Sequence, residues 1–565
     1  MTKRNAGRLL VETLDAHGVD LCYGVPGESY LAVLDAMMDY PKMRFIVCRH
    51  EGGAGFMALA DAKMTGRPGV CFVSRGPGAT NVSIAIHTAK QDAIPAVFFI
   101  GQIERPDFGR HALQEVDYGR TFSDMAKLVI DVRDPNLVAD ATARAFVMAQ
   151  AGTPGPVCVV LPEDMLMDAA DAPALGPRPV ATGIPAPEDV ARVAAMVAQA
   201  ERPILIVGGA YAGDRNNGEL VALSEALELP VCTVFRRPHQ FPNDHANYGG
   251  YLGVRVPAEQ IAELRKADLI VTVGARMGDL MSQGYSFPKA PVPEQPLVHV
   301  YPDPEEIGRV WQPAVGIACS PVAFVRALLA ARETARPTSP GRRDWIERLN
   351  RLENAPKRFE HARSNDGVVF GTVVHAVGKH LRRDAVVSVD AGNFSSWVHR
   401  YLYFYPEGEF IAAVSGAMGG GVPSAVAAGL RDPSRQLVAF AGDGGALMTG
   451  NELAVAMQYG VPVKLFVANN SSYGTIRMHQ ELRFPGRATA TELRNPDFAR
   501  WAEAFGAKGL RIENDGEVER IVAEAMAHDG PVVVDCLTSR FYATANKTMD
   551  DITRDGLARQ AAGGH

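Results

Sequence analysis

Short, almost wholly apolar runs recur along the chain, and each is followed by a longer stretch in which apolar positions return at helical spacing. "GVCFVS" (69–74), "AVFFIG" (96–101) and "GPVCVVLP" (155–162) form a first set. "RPILIVGGA" (202–210), "LPVCTVF" (229–235), "ADLIVTVGAR" (267–276) and "PLVHVYPDP" (296–304) form a second. "DAVVSVDAG" (384–392), "RQLVAFAGDGG" (435–445), "PVKLFVANN" (462–470) and "GPVVVDCLT" (530–538) form a third. Unbroken apolar strands alternating with amphipathic helices predict parallel sheets covered on both faces. Two stretches interrupt the alternation: the Pro/Ala/Gly-rich "DAPALGPRPVATGIPAP" (171–187) and the charged "RETARPTSPGRRDW" (332–345). The predicted fold is therefore α/β, with three doubly wound parallel-sheet domains at 1–170, 187–335 and 362–545 and a tail at 546–565. No sequence repeat and no low-complexity segment stands out.

Composition narrows the classes. The 565 residues carry a formal net charge of -7, which provides no basic face for nucleic acid. No apolar run reaches membrane-spanning length, and the N-terminal "MTKRNAGRLLVETLDAHGVD" reads as an amphipathic helix without a signal core. The seven cysteines are scattered through strand-like runs without metal-ligand spacing. They predict small core residues of a reduced, cytoplasmic protein with neither zinc nor disulfides.

Three stretches bear on chemistry. In "CRHEGGAGFMALADA" (48–62), one carboxylate, Glu51, opens a run of glycine and alanine that lets backbones approach closely. It is either a first-turn residue complementing the helix dipole or a charge with a specific partner. "IVGGAYAG" (206–213) lacks the G-x-G-x-x-G spacing of a dinucleotide turn and reads as an ordinary tight turn. In 441–474, by contrast, one predicted strand ends in Gly442-Asp443-Gly444 and the next in Asn469-Asn470. Adjacent parallel strands end on one edge, so Asp443 and Asn470 converge there as hard oxygen donors. Glycines beside them admit phosphate oxygens, which completes a shell suited to octahedral Mg²⁺.

This last segment resembles the cofactor motif of the thiamine diphosphate-dependent enzymes, the family that includes acetolactate synthase, pyruvate decarboxylase and benzoylformate decarboxylase. "YGVPGESYLAVLDAM" (23–37), "HEGGAGFMALADAKMTGRPGVCFVSRGPGATN" (50–81) and "QEVD" (114–117) resemble its pyrimidine-binding domain. "SGAMGGGVPSAVAAG" (415–429) resembles the start of its diphosphate-binding domain. "GPGATN" and "QEVD" place the resemblance nearest to acetolactate synthase. The three domains then correspond to pyrimidine-binding, central and diphosphate-binding units.

The resemblance implies thiamine diphosphate and Mg²⁺, with Asp443, Asn470 and the Ser472 carbonyl as metal ligands. It implies cofactor contacts from Pro26, Gly78, Asn81, Gly392, Asn393, Gly442, Gly444, Gly445, Tyr473, Gly474 and Thr475. The Gly416 carbonyl would accept from the pyrimidine amine, and Met418 would wedge the cofactor into a bent shape. Glu51 would exchange a proton with the pyrimidine ring and so promote deprotonation of the thiazolium carbon, which then attacks a 2-keto acid. A raised carboxyl pKa in a close-packed site suits that exchange.

Gln114 stands where pyruvate decarboxylase would carry a histidine, and Ile476 where it would carry a protonating glutamate. Both favour ligation to a second carbonyl over aldehyde release. Glu28 and His479 depart from the synthase and support the alternatives, a non-ligating decarboxylase or a C–C hydrolase acting on a diketone. Leu113 and Glu163 also depart from its motifs. Arg75 adds a cation for a substrate carboxylate, or else a surface ion-pair partner. "GARMGDL" (274–280) and "HVYPDPEEIG" (299–308) resemble flavin-contacting segments, but "MGDL" and "GYLG" weaken the case for FAD. The expected partners are a small 2-keto acid or related carbonyl compound and further copies of the chain, as a homodimer or tetramer with shared sites. A non-catalytic nucleotide-binding protein is the remote alternative.

Overall fold

A computed structural model describes residues 4–213, 217–254 and 256–562. Its architecture is three six-stranded sheets, each flanked by helices. Strands β1 (Leu21–Gly24), β2 (Arg44–Val47), β3 (Gly69–Val73), β4 (Ala96–Gln102), β5 (Leu128–Asp131) and β6 (Pro156–Pro162) form the first. The central sheet holds β7 (Pro203–Val207), β8 (Val231–Val234), β9 (Tyr248–Leu252), β10 (Leu269–Val273), β11 (Leu297–Tyr301) and β12 (Val315–Ala318). The third holds β13 (Val386–Val389), β14 (Glu409–Ile411), β15 (Leu437–Gly442), β16 (Lys464–Asn469), β17 (Lys508–Ile512) and β18 (Val532–Leu537). Neighbouring strands in all three run parallel, as their near-continuous apolar sequences require.

The first sheet has the order β2-β1-β3-β4-β6-β5 and the third β14-β13-β15-β16-β18-β17, which is the same winding twice. No sequence periodicity betrays this duplication. In both sheets the winding reverses next to the first strand, which opens a crevice at the carboxyl edge.

The helix Glu51–Thr65 follows β2, and its counterpart Gly421–Arg431 follows β14; the two pack against each other. Gly52 to Ala62 are all buried. One continuous apolar cluster joins Ala54, Met57 and Ala58 of the first domain to Val422, Ala425 and Val426 of the third. A helix buried on every side needs small residues where neighbours cross closely. Gly55 is such a crossing, since a Cβ there would lie 2.3 Å from Ala85 Cβ. The interface also carries a buried pair: Arg431 donates through Nη2 to Asp61 Oδ2 (2.9 Å) and through Nη1 to Asp20 Oδ2 (2.7 Å).

All seven cysteines are free and buried. Among the described residues no helix is long and apolar enough to cross a membrane. After the third sheet, the helix Met549–Ala561 opens with a capping box from Thr548 and Asp551 and docks on the helix Gly474–Arg483.

The packing gives a direct expectation. Gly55→Val should destabilise the protein by about 2 kcal/mol, because the Glu51 helix cannot move away from one neighbour without striking another. The denaturant midpoint of the purified variant measures this.

Candidate active site

The residues that the sequence singles out fall into two groups, each on the carboxyl edge of one of the twin sheets. In the third domain they follow β13 (Gly392, Asn393), β14 (Gly416, Met418), β15 (Gly442 to Gly445) and β16 (Asn470 and Ser472 to Ile476). All of these lie on the wall of one cleft of about 240 Å³. In the first domain Pro26 and Glu28 follow β1, Glu51 follows β2, Gly78 and Asn81 follow β3, and Gln114 follows β4. These six do not line the cleft, and neither does His479, which is exposed on the helix Gly474–Arg483.

In the cleft, Asp443 is buried at the first position of a helix, and burial pushes its carboxyl above the usual range. Oδ1 accepts from Gly444 N (2.9 Å), and Oδ2 accepts from Asn495 Nδ2 (2.8 Å) and Ser472 N (3.2 Å). Arg540 donates from Nε to the Asn470 carbonyl (2.8 Å) and from Nη2 to the Ser471 carbonyl (2.9 Å), pinning the loop that bears Asn470 and Ser472. Among the described residues no three His, Cys, Asp or Glu side chains cluster for a metal. One buried carboxylate among neutral oxygens is instead a donor set for a hard, octahedral cation. The missing side chain of Gly444 makes room for Tyr473 and Met418: a Cβ there would lie 2.6 Å from the Tyr473 ring and 3.4 Å from Met418 Cε.

Three further residues, Asp390, Asn495 and Arg540, support this site. Asp390, at the end of β13, is buried and pushed up to about 6, and both its oxygens accept from Gly419 N (2.9 and 3.0 Å) beside Met418. A carboxylate ending an apolar strand is visible in "SVDAG". Asn495 and Arg540, by contrast, reach the site from distant loops.

On the first domain's edge, Glu51 begins its helix, so the dipole complement holds, but the carboxylate also has a partner. Asn81 Nδ2 donates to Glu51 Oε2 (2.9 Å), and a Cβ on Gly78 would come within 3.3 Å of Oε1. Gln114 has φ 67° and packs over Gly76. Arg75 is neither a surface residue nor a free cation: it is buried, with Nη2 on Glu28 Oε1 (2.7 Å) and Nη1 on Glu163.

Glu452 of the third domain closes the amino end of the Glu51 helix. It accepts from Arg49 N (3.0 Å) and His50 N (2.9 Å), and its Oε1 lies 2.5 Å from where a Cβ of Gly53 would be. Burial pushes this carboxyl up to about 7. The glycines after Glu51 therefore admit a second carboxylate from the neighbouring domain.

Residues 4–120 match the N-terminal TPP binding domain of thiamine pyrophosphate enzymes, residues 190–328 their central domain, and residues 390–536 their C-terminal TPP binding domain. The acetolactate synthase large subunit of Parasynechococcus marenigrum is 32% identical over 538 residues, covering 93% of this chain and 86% of that protein. The chain belongs to the thiamine pyrophosphate enzyme family. Acetolactate synthase of Mycobacterium bovis is 32% identical over 540 residues (93% and 87% covered). The probable acetolactate synthase large subunit of Methanocaldococcus jannaschii is 28% identical over 552 residues (93% and 90%).

The two edges differ in chemistry: oxygen donors and small residues in the third domain, a half-buried carboxylate in the first. The central domain is different. In the turn after β7, Gly208 N donates to Val273 O (3.0 Å) and Ala210 N to Gly274 O (2.9 Å). Arg237 Nε lies 2.6 Å from where a Cβ of Gly209 would stand. A Cβ on Gly274 would be 2.4 Å from Tyr211 N. These turns are packed on each other, and the Gly208 and Ala210 amides are already bonded and not free for a diphosphate.

Glu452 makes a pH expectation. Its folded pKa lies above the unfolded value, so its contribution to stability is full below the unfolded pKa and is lost as pH rises toward about 7. Glu452→Gln keeps the acceptor for Arg49 and His50 without the charge. The variant should gain melting temperature relative to the parent as pH is raised from 5 to 8, by a few degrees. Differential scanning at both pH values measures it.

Proposed function

We propose that this enzyme decarboxylates a 2-keto acid of pyruvate type and joins the remaining acyl unit to a second carbonyl compound. The observation that carries the reading is the pairing, within one family-matched chain, of the Glu51–Asn81 edge with the Asp443–Asn470–Ser472 oxygen set. The non-ligating and hydrolytic alternatives, resting on Glu28 and His479, are not favoured beside relatives that are acetolactate synthases, and neither is a non-catalytic role.

Mg²⁺ fits the third-domain cleft. Asp443 is held above its usual range by burial, and a divalent cation would relieve that penalty. Asp443, Asn470 and the Ser472 carbonyl are its proposed ligands, with Arg540 fixing the loop. Bound thiamine diphosphate supplies an acidic ring carbon that adds to carbonyls and an electron sink for the departing CO₂. The chain's residues do the rest. Glu51, anchored at Oε2 by Asn81, would use Oε1 to exchange a proton with the pyrimidine nitrogen. Gly416 would offer its carbonyl to the amino group, and Met418 would pack against the bound cofactor. Ile476, more than half exposed at the cleft mouth, offers no proton to the acyl unit. No flavin is included.

Each half of the site is open in one chain and has exposed apolar residues at its rim: Ile84 and Leu113 on the first edge, Leu447 and Met448 near the cleft. A second copy would cover them and bring its Glu51 edge over this cleft, giving a homodimer with two shared sites, or a tetramer of such dimers. Nothing in the fold calls for nucleic acid or membrane.

Four measurements test the reading. Holoenzyme given pyruvate should release CO₂ and form a new C–C bond; aldehyde as sole organic product would defeat ligation. Glu51→Gln should slow hydrogen–deuterium exchange at the cofactor ring carbon by about 100-fold or more, read by NMR, and unchanged exchange would overturn its role. Asp443→Asn should abolish Mg²⁺-dependent cofactor binding in calorimetry. Mixed and reassorted, the two inactive variants should regain about a quarter of parental activity, because a hybrid dimer restores one of its two sites.

A further inference from the structure

The segment between β14 and the helix Gly421–Arg431 carries Gly416 and Met418 to the wall of the cleft. Its far end is held within its own domain. Gly419 N donates to both Asp390 oxygens, and Thr449 Oγ1 donates to the Gly419 carbonyl. Its near end is held by the first domain. Val414 N and Ser415 N both donate to Asp92 Oδ1, at 2.6 and 3.3 Å. Lys63 Nζ donates to Asp92 Oδ2 (3.2 Å) and to the Ala412 carbonyl (3.1 Å). Thr88 Oγ1 and Ser415 Oγ share a hydrogen bond of 3.1 Å, and Ser415 Oγ also accepts from Ala417 N (3.3 Å).

The Lys63 and Asp92 side chains are 8% and 1% exposed. Burying an ion pair costs about as much as the pair regains, so stability alone does not explain it. This pair sends its other hydrogen bonds to main-chain atoms of another domain, all within residues 412–415. Two amides converging on one carboxylate oxygen make charge-assisted bonds, which hold a turn firmly. Thr88, four residues before Asp92 and so on the same helix face, adds a third side chain to the clamp. The residue that follows the turn is Gly416, at φ 72°. No heavy atom lies within 4 Å of where its Cβ would be, so glycine serves the backbone conformation there and not close packing. The direction of the Gly416 carbonyl therefore follows from the turn before it, and that turn from Asp92.

We propose that Asp92 is a positioning residue: backed by Lys63 and Thr88, it sets the direction of the Gly416 carbonyl and so its hydrogen bond from the amino group of the bound pyrimidine. The inference rests on the role proposed for Gly416. The first domain would then serve two clefts, its own chain's through the Asp92 clamp and the partner's through the Glu51 edge.

Two ligands separate positioning from stability. With Mg²⁺ present, calorimetry gives the affinities of thiamine diphosphate and of its 4′-desamino analogue, which has hydrogen in place of the amino group and keeps the diphosphate. The parent should bind the cofactor about tenfold more tightly than the analogue, as one well-made hydrogen bond allows. Asp92→Ala should bring that ratio to within about twofold of unity. It should leave the analogue's affinity within about twofold of the parent's, because the Asp443 side of the cleft is untouched. Asp92→Ala also leaves the Lys63 ammonium buried without its carboxylate, so the isosteric Thr88→Val is measured beside it and should lower the ratio by about threefold. Equal losses for both ligands in Asp92→Ala, or an unmoved ratio in Thr88→Val, would make the clamp merely structural and overturn the proposal. A parent that does not distinguish the two ligands would instead defeat the role of the Gly416 carbonyl, and this inference with it, while decarboxylation and ligation stand or fall on their own products.

Discussion

The structure depends on how closely two helices approach. The Glu51 helix and the Gly421–Arg431 helix occupy equivalent places in two identically wound domains, and both are rich in glycine and alanine. Their contact merges the two cores into one apolar cluster. It also fixes Glu51 at one end, where the third domain's Glu452 closes the helix, and the Gly416–Met418 loop at the amino end of the partner helix. Larger residues at the crossing would separate both elements and displace both. Close packing here therefore sets the geometry of the chemistry as well as the stability of the fold.

The same winding used twice yields two unlike half-sites. Four corresponding strand ends carry Glu28, Glu51, Gly78 and Gln114 in one domain, and Asn393, Met418, Asp443 and Asn470 in the other. One edge presents acidic and amide side chains, the other glycine turns and oxygen donors. The proposed homodimer would bring the two kinds of edge together.

Much of this was legible in the sequence because strand ends carry function and apolar runs mark strands. The alternation gave the α/β class and its three sheets, and the Gly-Asp-Gly and Asn-Asn pairs closing successive strands located the cleft. Other features were invisible for physical reasons. The duplicated topology survives in strand order and not in residue identity. Glu452, Asn495 and Arg540 act across long sequence separations, and their local surroundings are ordinary. Arg75 read as a surface or substrate cation because its two carboxylates come from other strand ends. Burial alone distinguishes an internal counterion from a receptor.

The central domain reaches into the first. Arg237 donates to the Asp92 carbonyl at 3.3 Å, and Arg276 donates to the Lys90 carbonyl at 3.2 Å and to that of Gln91. Those are the last carbonyls of the helix Pro77–Asp92, an end that also holds Lys90 and the Lys63 ammonium paired with Asp92 at 3.2 Å. The domain thus serves as an end-stop for a rod about 24 Å long, one end seated in its guanidinium groups and the other holding Asn81 against Glu51. Tightening or loosening that seat would tilt the rod, so contacts made by the central domain bear on how Asn81 meets Glu51 in the first.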